Sequence, residues 1–253
     1  MVSTQLHTPP PDESLPRQLP HPALPSGKYS IVCSELPQFA RTLYLQVFWD
    51  SCHPSVPTFS ERRFRELSQL PASTILDEYT SETCLVDAML ALGTQHCVST
   101  GLFDRTLGLR KLASAQSKAD PLLEVDWPGF EYWHRARDHI RATEDLGMIG
   151  AQALALMIFY LIRGGAVRDA YNLLGIAVRK AYMSSLHRLQ DVEESGRDDL
   201  RLFWTTTFAM DVRCSLQLDM PQAIGATLVR PLLLGRDSLR FFRTDKWRAT
   251  LSA

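Results

Sequence analysis

The sequence of 253 residues lacks an excess of charge of either sign. It has 27 Lys and Arg against 28 Asp and Glu, a formal net charge of −1. Bulk charge therefore does not attract a nucleic acid, and contact with DNA would need a local patch or a partner. A hydrophobic fraction of 45% and a charged fraction of 22% exclude collagen-like and wholly disordered classes. The length suits one substantial core.

The sequence has no CxxC pair. Its five cysteines are scattered along the chain: Cys33, Cys52, Cys84, Cys97 and Cys214. An odd number at irregular spacing does not describe a disulfide framework or a zinc site. We therefore expect an intracellular protein with reduced thiols and no cysteine-based metal centre.

Long apolar runs are also missing. The longest, Ala151 to Ile162, has about 12 residues where a spanning helix needs about 20. The first residues are polar and rich in proline, without the basic start and apolar centre of a signal peptide. We expect no membrane association.

Motifs of common catalytic sites are absent. There is no GxSxG, no GxxxxGK[ST] and no dinucleotide fingerprint. His134 and His139 are five residues apart, so their side chains diverge on a helix. The sequence predicts no catalytic residue, no metal ligand and no cofactor.

Three weaker chemical patterns stay open. The pairs Cys52-His53 and His96-Cys97 could hold a metal if the fold brought them together. Asp198 and Asp199 resemble part of the diphosphate motif of all-helical terpene cyclases, although acids at a helix start are favoured by the helix dipole alone. A Cys/His nucleophile also stays open, with no partner indicated by spacing.

Hydrophobic periodicity predicts an all-α, irregular multi-helix bundle. Eight of the fifteen prolines fall within the first 37 residues, so residues 1–36 are predicted to be a disordered arm. Residues 37–224 form the predicted domain. Residues 225–253 are predicted to be a basic C-terminal tail, of the kind that a truncated domain would leave. The helical pattern has seven segments: Gln38 to Ser51, a short helix with Thr58 and Glu61 as capping box, Ser81 to Gly101, Pro128 to Gly147, an all-apolar central helix from Ile149 to Ile162, a sixth closing at Leu186-His187, and a seventh through Leu200 and Val212.

Asp211 is the most unusual position in this pattern, because it places a carboxylate on or beside an apolar helical stripe. A buried acid needs a partner, and Arg179 and Arg201 are the candidates. Gly175 lies in mid-helix, where glycine costs about 1 kcal/mol relative to alanine. It is predicted to allow a close helix contact.

The N-terminal half contains a run of short motifs: Val47-Phe48-Trp49, then His53-Pro54 through Phe59, then Phe64. These motifs resemble the YF...HP..P....F signature of the regulatory domain, or middle homology region, of fungal zinc-cluster transcription factors. Leu85 through Gly93, LVDAMLALG, is similar to the family's alanine-rich helix, and Ala136-Arg137 to its AR dipeptide.

The C-terminal motifs are more specific. Two stretches resemble Aw..lG.AvR.A..lGLHr and RRlFW...y.lDr..s..lGRP: Ala170-Tyr171, Gly175 through Arg179, Ala181 and Leu186-His187-Arg188, then Arg201 through Trp204, Asp211, Ser215, Leu218 and Pro221. The sequence departs from these patterns at Ser184-Ser185, Leu200, Val212 and Asp219-Met220.

The resemblance implies a nuclear, fungal regulator of transcription that is not an enzyme, for instance one that controls a specialised-metabolite gene cluster. The family's six-cysteine DNA-reading module does not occur in these residues, so DNA contact is expected to be indirect or through a missing module. A protein partner, or a homo- or heterodimer, is expected, and a small-molecule effector is compatible. The alternatives are a truncated partner of a full-length zinc-cluster factor and an all-α biosynthetic enzyme.

The resemblance also supplies the candidate site. We hypothesise that five polar or small residues form the centre of the bundle and that two more belong to the same regulatory motif. The seven residues are Gly175, Arg179, His187, Arg201, Trp204, Asp211 and Pro221.

Overall fold

The computed structural model describes residues 36–70, 79–102, 127–144, 146–188 and 194–225. These ranges contain seven α-helices and no β-strand, which confirms the all-α prediction. The predicted disordered arm and the basic tail beyond residue 225 lie outside the described residues. Within the described ranges no helix is both long and apolar enough to cross a bilayer.

All seven predicted helices are present. They are α1 (Gln38–Val47), α2 (Glu61–Ser68), α3 (Ser81–Ser99), α4 (Phe130–Ala142), α5 (Gly147–Arg163), α6 (Val167–Met183) and α7 (Glu194–Leu218). α1 runs directly into a wider π-helical turn, Phe48–Cys52, and a 3-10 turn, His53–Ser55. These turns redirect the chain before the proline-containing loop that precedes α2.

The start of α2 differs from its prediction. The capping box of Thr58 and Glu61 is wrong, because Glu61 is the first helical residue and Ser60 is the N-cap. Thr58 is completely buried and its hydroxyl makes no hydrogen bond. Thr58 and Phe59 are drawn into the apolar core, and that burial overrides the capping preference of the hydroxyl.

Two other helix starts also shift. Thr80 rather than Ser81 caps α3, and its hydroxyl accepts a backbone N–H of the first turn. Pro128 lies before α4 and not in its first turn, because Gly129 is the N-cap with a φ of 80°. A side chain is strained at that φ, which glycine tolerates.

The central helix is α5, as predicted. Every residue from Gly150 to Ile162 is buried. α5 packs between α3 and α6; α1 and α4 cover α3, and α7 packs on α6 and α5. Because α3 is itself buried from Cys84 to Gly93, two successive layers of helix lie inside the bundle.

Polar groups tie the neighbouring helices to α5. The Trp133 indole N–H donates to the Met157 carbonyl at 3.1 Å, and Gln95 donates to the Tyr160 carbonyl at 3.2 Å. The Tyr160 hydroxyl donates to the Pro128 carbonyl at 3.0 Å. Each bond satisfies a group that would be costly to bury alone, so the packing has a defined register.

The close helix contact predicted at Gly175 occurs elsewhere. A Cβ at Gly175 would meet only its own helix neighbour Arg179, 3.5 Å away. At Gly93, by contrast, a Cβ would overlap the backbone carbonyl of Tyr44. The crossing of α1 and α3 therefore requires glycine at position 93, and the prediction for Gly175 is wrong.

Candidate functional site

The structure separates the seven predicted site residues. Trp204 and Asp211 are fully buried on α7, whereas Arg179 and Pro221 are exposed. Gly175, His187 and Arg201 lie between these extremes. The hypothesis of one shared polar centre is wrong, because Arg179 is exposed whereas Asp211 is fully buried.

Asp211 is buried but does not pair with Arg179 or Arg201. Its carboxylate accepts the backbone N–H of Ile224 at 2.8 Å and of Ala223 at 3.2 Å. The chain reverses after α7 at Asp219, which has a φ of 53°. That reversal brings the two amides back to the helix, where they satisfy a polar group that would otherwise be costly to bury.

Further contacts hold the same returning segment. The Tyr171 hydroxyl donates to the Pro221 carbonyl at 2.8 Å, and the Ser215 hydroxyl lies 3.4 Å from the same oxygen. Ile224 is completely buried. We call Tyr171, Asp211, Ser215 and segment 219–225 the C-terminal clasp. It connects α6 and α7 to the segment that follows α7.

Trp204 joins the ends of α6 and α7. Its indole N–H donates to the Leu186 carbonyl at 2.8 Å, and its ring lies 5.8 Å from that of Tyr182. Tyr182 also contacts the ring of His187 at 5.2 Å. These groups fix the turn that follows α6.

The acids at the start of α7 are engaged in structural contacts. Asp198 pairs with Arg201 at 2.9 Å, and Asp199 accepts the backbone N–H of Ser60 at 3.0 Å. Burial raises the pKa of Asp199. The two carboxylates serve different partners, which does not support the diphosphate-binding alternative.

The HP motif forms an aromatic stack. Trp49 stacks on His53 at 4.2 Å and on Phe64 at 4.6 Å between ring centroids. His53 Nε2 hydrogen-bonds the Phe59 carbonyl at 3.0 Å. Burial lowers the pKa of His53 to about 4, so the imidazole is neutral at physiological pH.

The loop after this motif is fastened to α5 and α7. Thr206 donates to the Pro57 carbonyl at 2.6 Å, and Gln152 donates to the Thr58 carbonyl at 2.8 Å. The N-terminal and C-terminal motifs, far apart in the sequence, are thus in direct contact. Together they close the bundle.

Sequence reasoning missed a second buried acid. Asp87 of α3 is 3% exposed, and its two oxygens receive Arg135 Nε at 2.9 Å and Nη2 at 2.6 Å. The Tyr79 hydroxyl donates to the same carboxylate at 2.6 Å. Burial raises the pKa of Asp87, and Arg135 opposes that effect. The available signal was a lone carboxylate inside the apolar run LVDAMLALG, since such a group needs a partner.

The two Cys/His pairs do come close together, but around an arginine. Arg163 Nη1 lies 3.3 Å from the sulfur of Cys52, and Nη2 lies 3.1 Å from Nδ1 of His96. A guanidinium therefore occupies the place that a metal cation would need. No group of three His, Cys, Asp or Glu suited to a metal is found among the described residues.

The thiols are not arranged as nucleophiles. Cys52, Cys84, Cys97 and Cys214 are free and buried, and Cys33 lies outside the described residues. Burial raises the pKa of Cys52, Cys97 and Cys214 to about 11 in each case. A thiolate is the reactive form, so these groups are inert at neutral pH.

Comparison with known proteins identifies similar chains in fungi. The family model described as the fungal specific transcription factor domain matches residues 45–238. The oosporein cluster regulator OpS3 of Beauveria bassiana is 28% identical over 222 residues, which cover 81% of this chain and 28% of that protein. Transcription factor asqA of Emericella nidulans is 26% identical over 197 residues, or 76% of this chain and 33% of that protein.

A third relative is the activator of stress genes protein 1 of Candida albicans, 30% identical over 120 residues, 43% of this chain and 12% of that protein. No solved structure matches the chain. The chain spans about a third or less of the length of these relatives. The family model covers well over half of the chain and includes all seven predicted motif residues. This chain belongs to the family of the fungal specific transcription factor domain.

Proposed function

We propose that this chain is the helical regulatory domain of a fungal transcription regulator that controls a specialised-metabolite gene cluster. The observation that carries the proposal is the family match over residues 45–238. Two relatives support the finer statement, since one is named a cluster regulator and the other a transcription factor. Buried thiols of raised pKa and acids engaged in structural contacts support regulation rather than catalysis.

The proposed mechanism is presentation of a surface by a rigid scaffold. Asp87 fixes the packing of α3 and α4, and Asp211 fixes the segment after α7. The exposed helix faces therefore keep a fixed geometry. A partner or effector that changes access to such a face would alter transcription. Contact with DNA would come from a module outside these residues, on the same polypeptide or on a partner, and the site of action would be the nucleus.

A transcriptome comparison between the parent strain and a strain lacking this gene tests the function. We expect coordinated loss or gain of a defined set of neighbouring genes. Complementation with the intact gene should restore the set, and so should a gene carrying Asp50→Ala, a substitution of an exposed acid. Unchanged transcripts together with one missing metabolite would favour the all-α enzyme and overturn the proposal.

Localisation and DNA association need a separate experiment. A fluorescent fusion expressed at the native locus should accumulate in the nucleus. Chromatin immunoprecipitation should enrich promoters of the affected genes, and the enrichment should depend on whichever zinc-cluster module provides the DNA contact. Cytosolic fluorescence with no promoter enrichment would contradict this proposal.

A further inference from the structure

The outer face of α6 exposes two apolar side chains, Ile176 and Met183, in a regular stripe with two polar ones. Asn172, Ile176, Arg179 and Met183 are spaced by four, three and four residues, so they share one side of the helix. All four are exposed, with Ile176 at 42% and Met183 at 79%. The opposite side is buried against the bundle through Ala170, Leu174, Ala177, Val178 and Ala181. We call the exposed stripe the α6 face.

The motif residue Arg179 lies on this face, and Gly175 lies one turn before it on the same helix. Arg179 is exposed and makes no ion pair with any described residue. Its Nη2 is the atom nearest to where a Gly175 Cβ would stand, at 3.5 Å. The guanidinium therefore extends back over the glycine, and the Arg179 side chain is exposed to solvent. A guanidinium held in this way is suited to bidentate contact with a carboxylate.

The charge around the α6 face is one-sided. The helix itself carries three basic side chains, Arg168, Arg179 and Lys180, and a single acid, Asp169. Lys180, next to Arg179, donates to the Thr143 carbonyl at 2.6 Å, so the acceptor in that bond is not an acid. A ligand for this face is therefore expected to be acidic.

The same charge argues against a second copy of the chain as the occupant. Two α6 faces brought together would place like charges near each other at Arg179, which is unfavourable in an interface. An acidic partner would remove this penalty. Met183 is a flexible and polarizable side chain of the kind that accommodates an apolar residue from another helix.

We propose that the α6 face docks an amphipathic helix of another protein, with apolar residues on Ile176 and Met183 and a carboxylate on Arg179. The stripe from Asn172 to Met183 is about 16 Å long, which matches about three turns of a helix. This is recognition of a helix by its apolar stripe, with the flanking charges selecting the partner. The proposal goes beyond the proposed function and does not depend on it, because binding is measured on the purified chain.

Selection from a display library tests the proposal. The library presents helices of about 16 residues with leucines fixed three and four residues apart, and with flanking positions randomised among Glu, Gln and Lys. We expect the intact chain to enrich glutamate at the positions beside the leucines. Arg179→Glu should weaken the selected helices by about tenfold or more, and selection on that variant should replace glutamate by lysine at one position.

Met183→Asp removes the apolar half of the site and should also weaken the same helices, with circular dichroism and thermal melting unchanged. Arg62→Glu is the matched control, since Arg62 is an exposed arginine of α2 with a side chain 88% exposed. Enrichment that ignores charge, or that is equal on Arg179→Glu and Arg62→Glu, would overturn the proposal. So would a failure to select any helix, or a dimer in sedimentation that Met183→Asp dissociates.

Discussion

Two buried carboxylates stabilise this bundle in different ways. Asp87 lies on α3 and pairs with side chains, Arg135 and Tyr79, that come from other parts of the chain. Asp211 lies on α7 and accepts backbone amides from the segment just beyond its own helix. The first acid holds a second charge inside the protein, and the second holds neutral peptide groups. The difference decides what remains when each acid is removed.

Removal of Asp87 should have the larger effect. Asp87→Ala leaves the guanidinium of Arg135 without its buried partner, and breaking such a pair costs about 3–5 kcal/mol. Urea unfolding followed by circular dichroism measures the loss. A double variant, Asp87→Ala with Arg135→Leu, should recover part of it because the guanidinium that lost the Asp87 carboxylate is then removed as well. Equal stability of Asp87→Ala and Asp50→Ala, where Asp50 is exposed, would contradict this account.

His53 offers a comparison with a buried ionisable group that is neutral. Its pKa falls from 6.5 to about 4 in the folded protein. The unfolded state therefore binds the proton more tightly than the folded state. The stability associated with neutral His53 is fully present above pH 6.5 and is lost as the pH falls towards 4. The shift corresponds to about 3 kcal/mol. His53→Gln should show a flatter loss of stability in that pH window, and parallel curves for the two proteins would contradict the assignment.

Removal of Asp211 should be milder and local. Asp211→Ala leaves the amides of Ala223 and Ile224 without an acceptor, a cost of about 1–3 kcal/mol. The segment can move away from α7, and water can then accept the hydrogen bonds of these amides. We therefore expect the bundle to remain folded. Hydrogen exchange should speed up at residues 219–225 while the peptides of α5 stay protected. Global unfolding of Asp211→Ala at neutral pH would contradict this expectation, because the clasp would then contribute as much to the free energy of unfolding as the Asp87 pair does.

The smallest effect is expected at the outer bond of the clasp. Tyr171→Phe removes one donor to the Pro221 carbonyl, which is partly hydrated, and should cost about 0.5–1 kcal/mol. Tyr182→Phe is a matched control on the same helix, because the Tyr182 hydroxyl makes no hydrogen bond with a described residue. Equal melting of the two variants would remove Tyr171 from the clasp.

The sequence allowed the helices to be predicted because their spacing reflects a local period. α5 is apolar on every side, and that pattern placed it at the centre before any contact was known. Burial of Asp211 was likewise visible from its position three residues after Phe208. Its partners were not, because the amides reach it only through the reversal at Asp219, and such a turn has no periodic signal.

Side-chain partners across the chain were the least predictable. Arg135 and Asp87 are 48 residues apart, and only the packing of α4 on α3 brings them together. Thr58 has the right residue type for a cap, but competition between capping and burial is decided by the neighbouring helices. The glycine at the close helix contact was predicted at the wrong position for a similar reason. The sequence shows that Gly175 lies in mid-helix, but only the crossing of α1 and α3 shows that Gly93 is the glycine in contact.

The contact at Gly93 has a genetic consequence. Every single-nucleotide change of a glycine codon that replaces glycine by another amino acid gives a residue with a Cβ, from alanine to arginine. At position 93 the Cβ of any such residue overlaps the Tyr44 carbonyl. All of these substitutions share this steric clash, whatever the size and polarity of the rest of the side chain. Each missense codon one step away therefore separates α1 from α3, and it displaces the aromatic stack that begins at the end of α1.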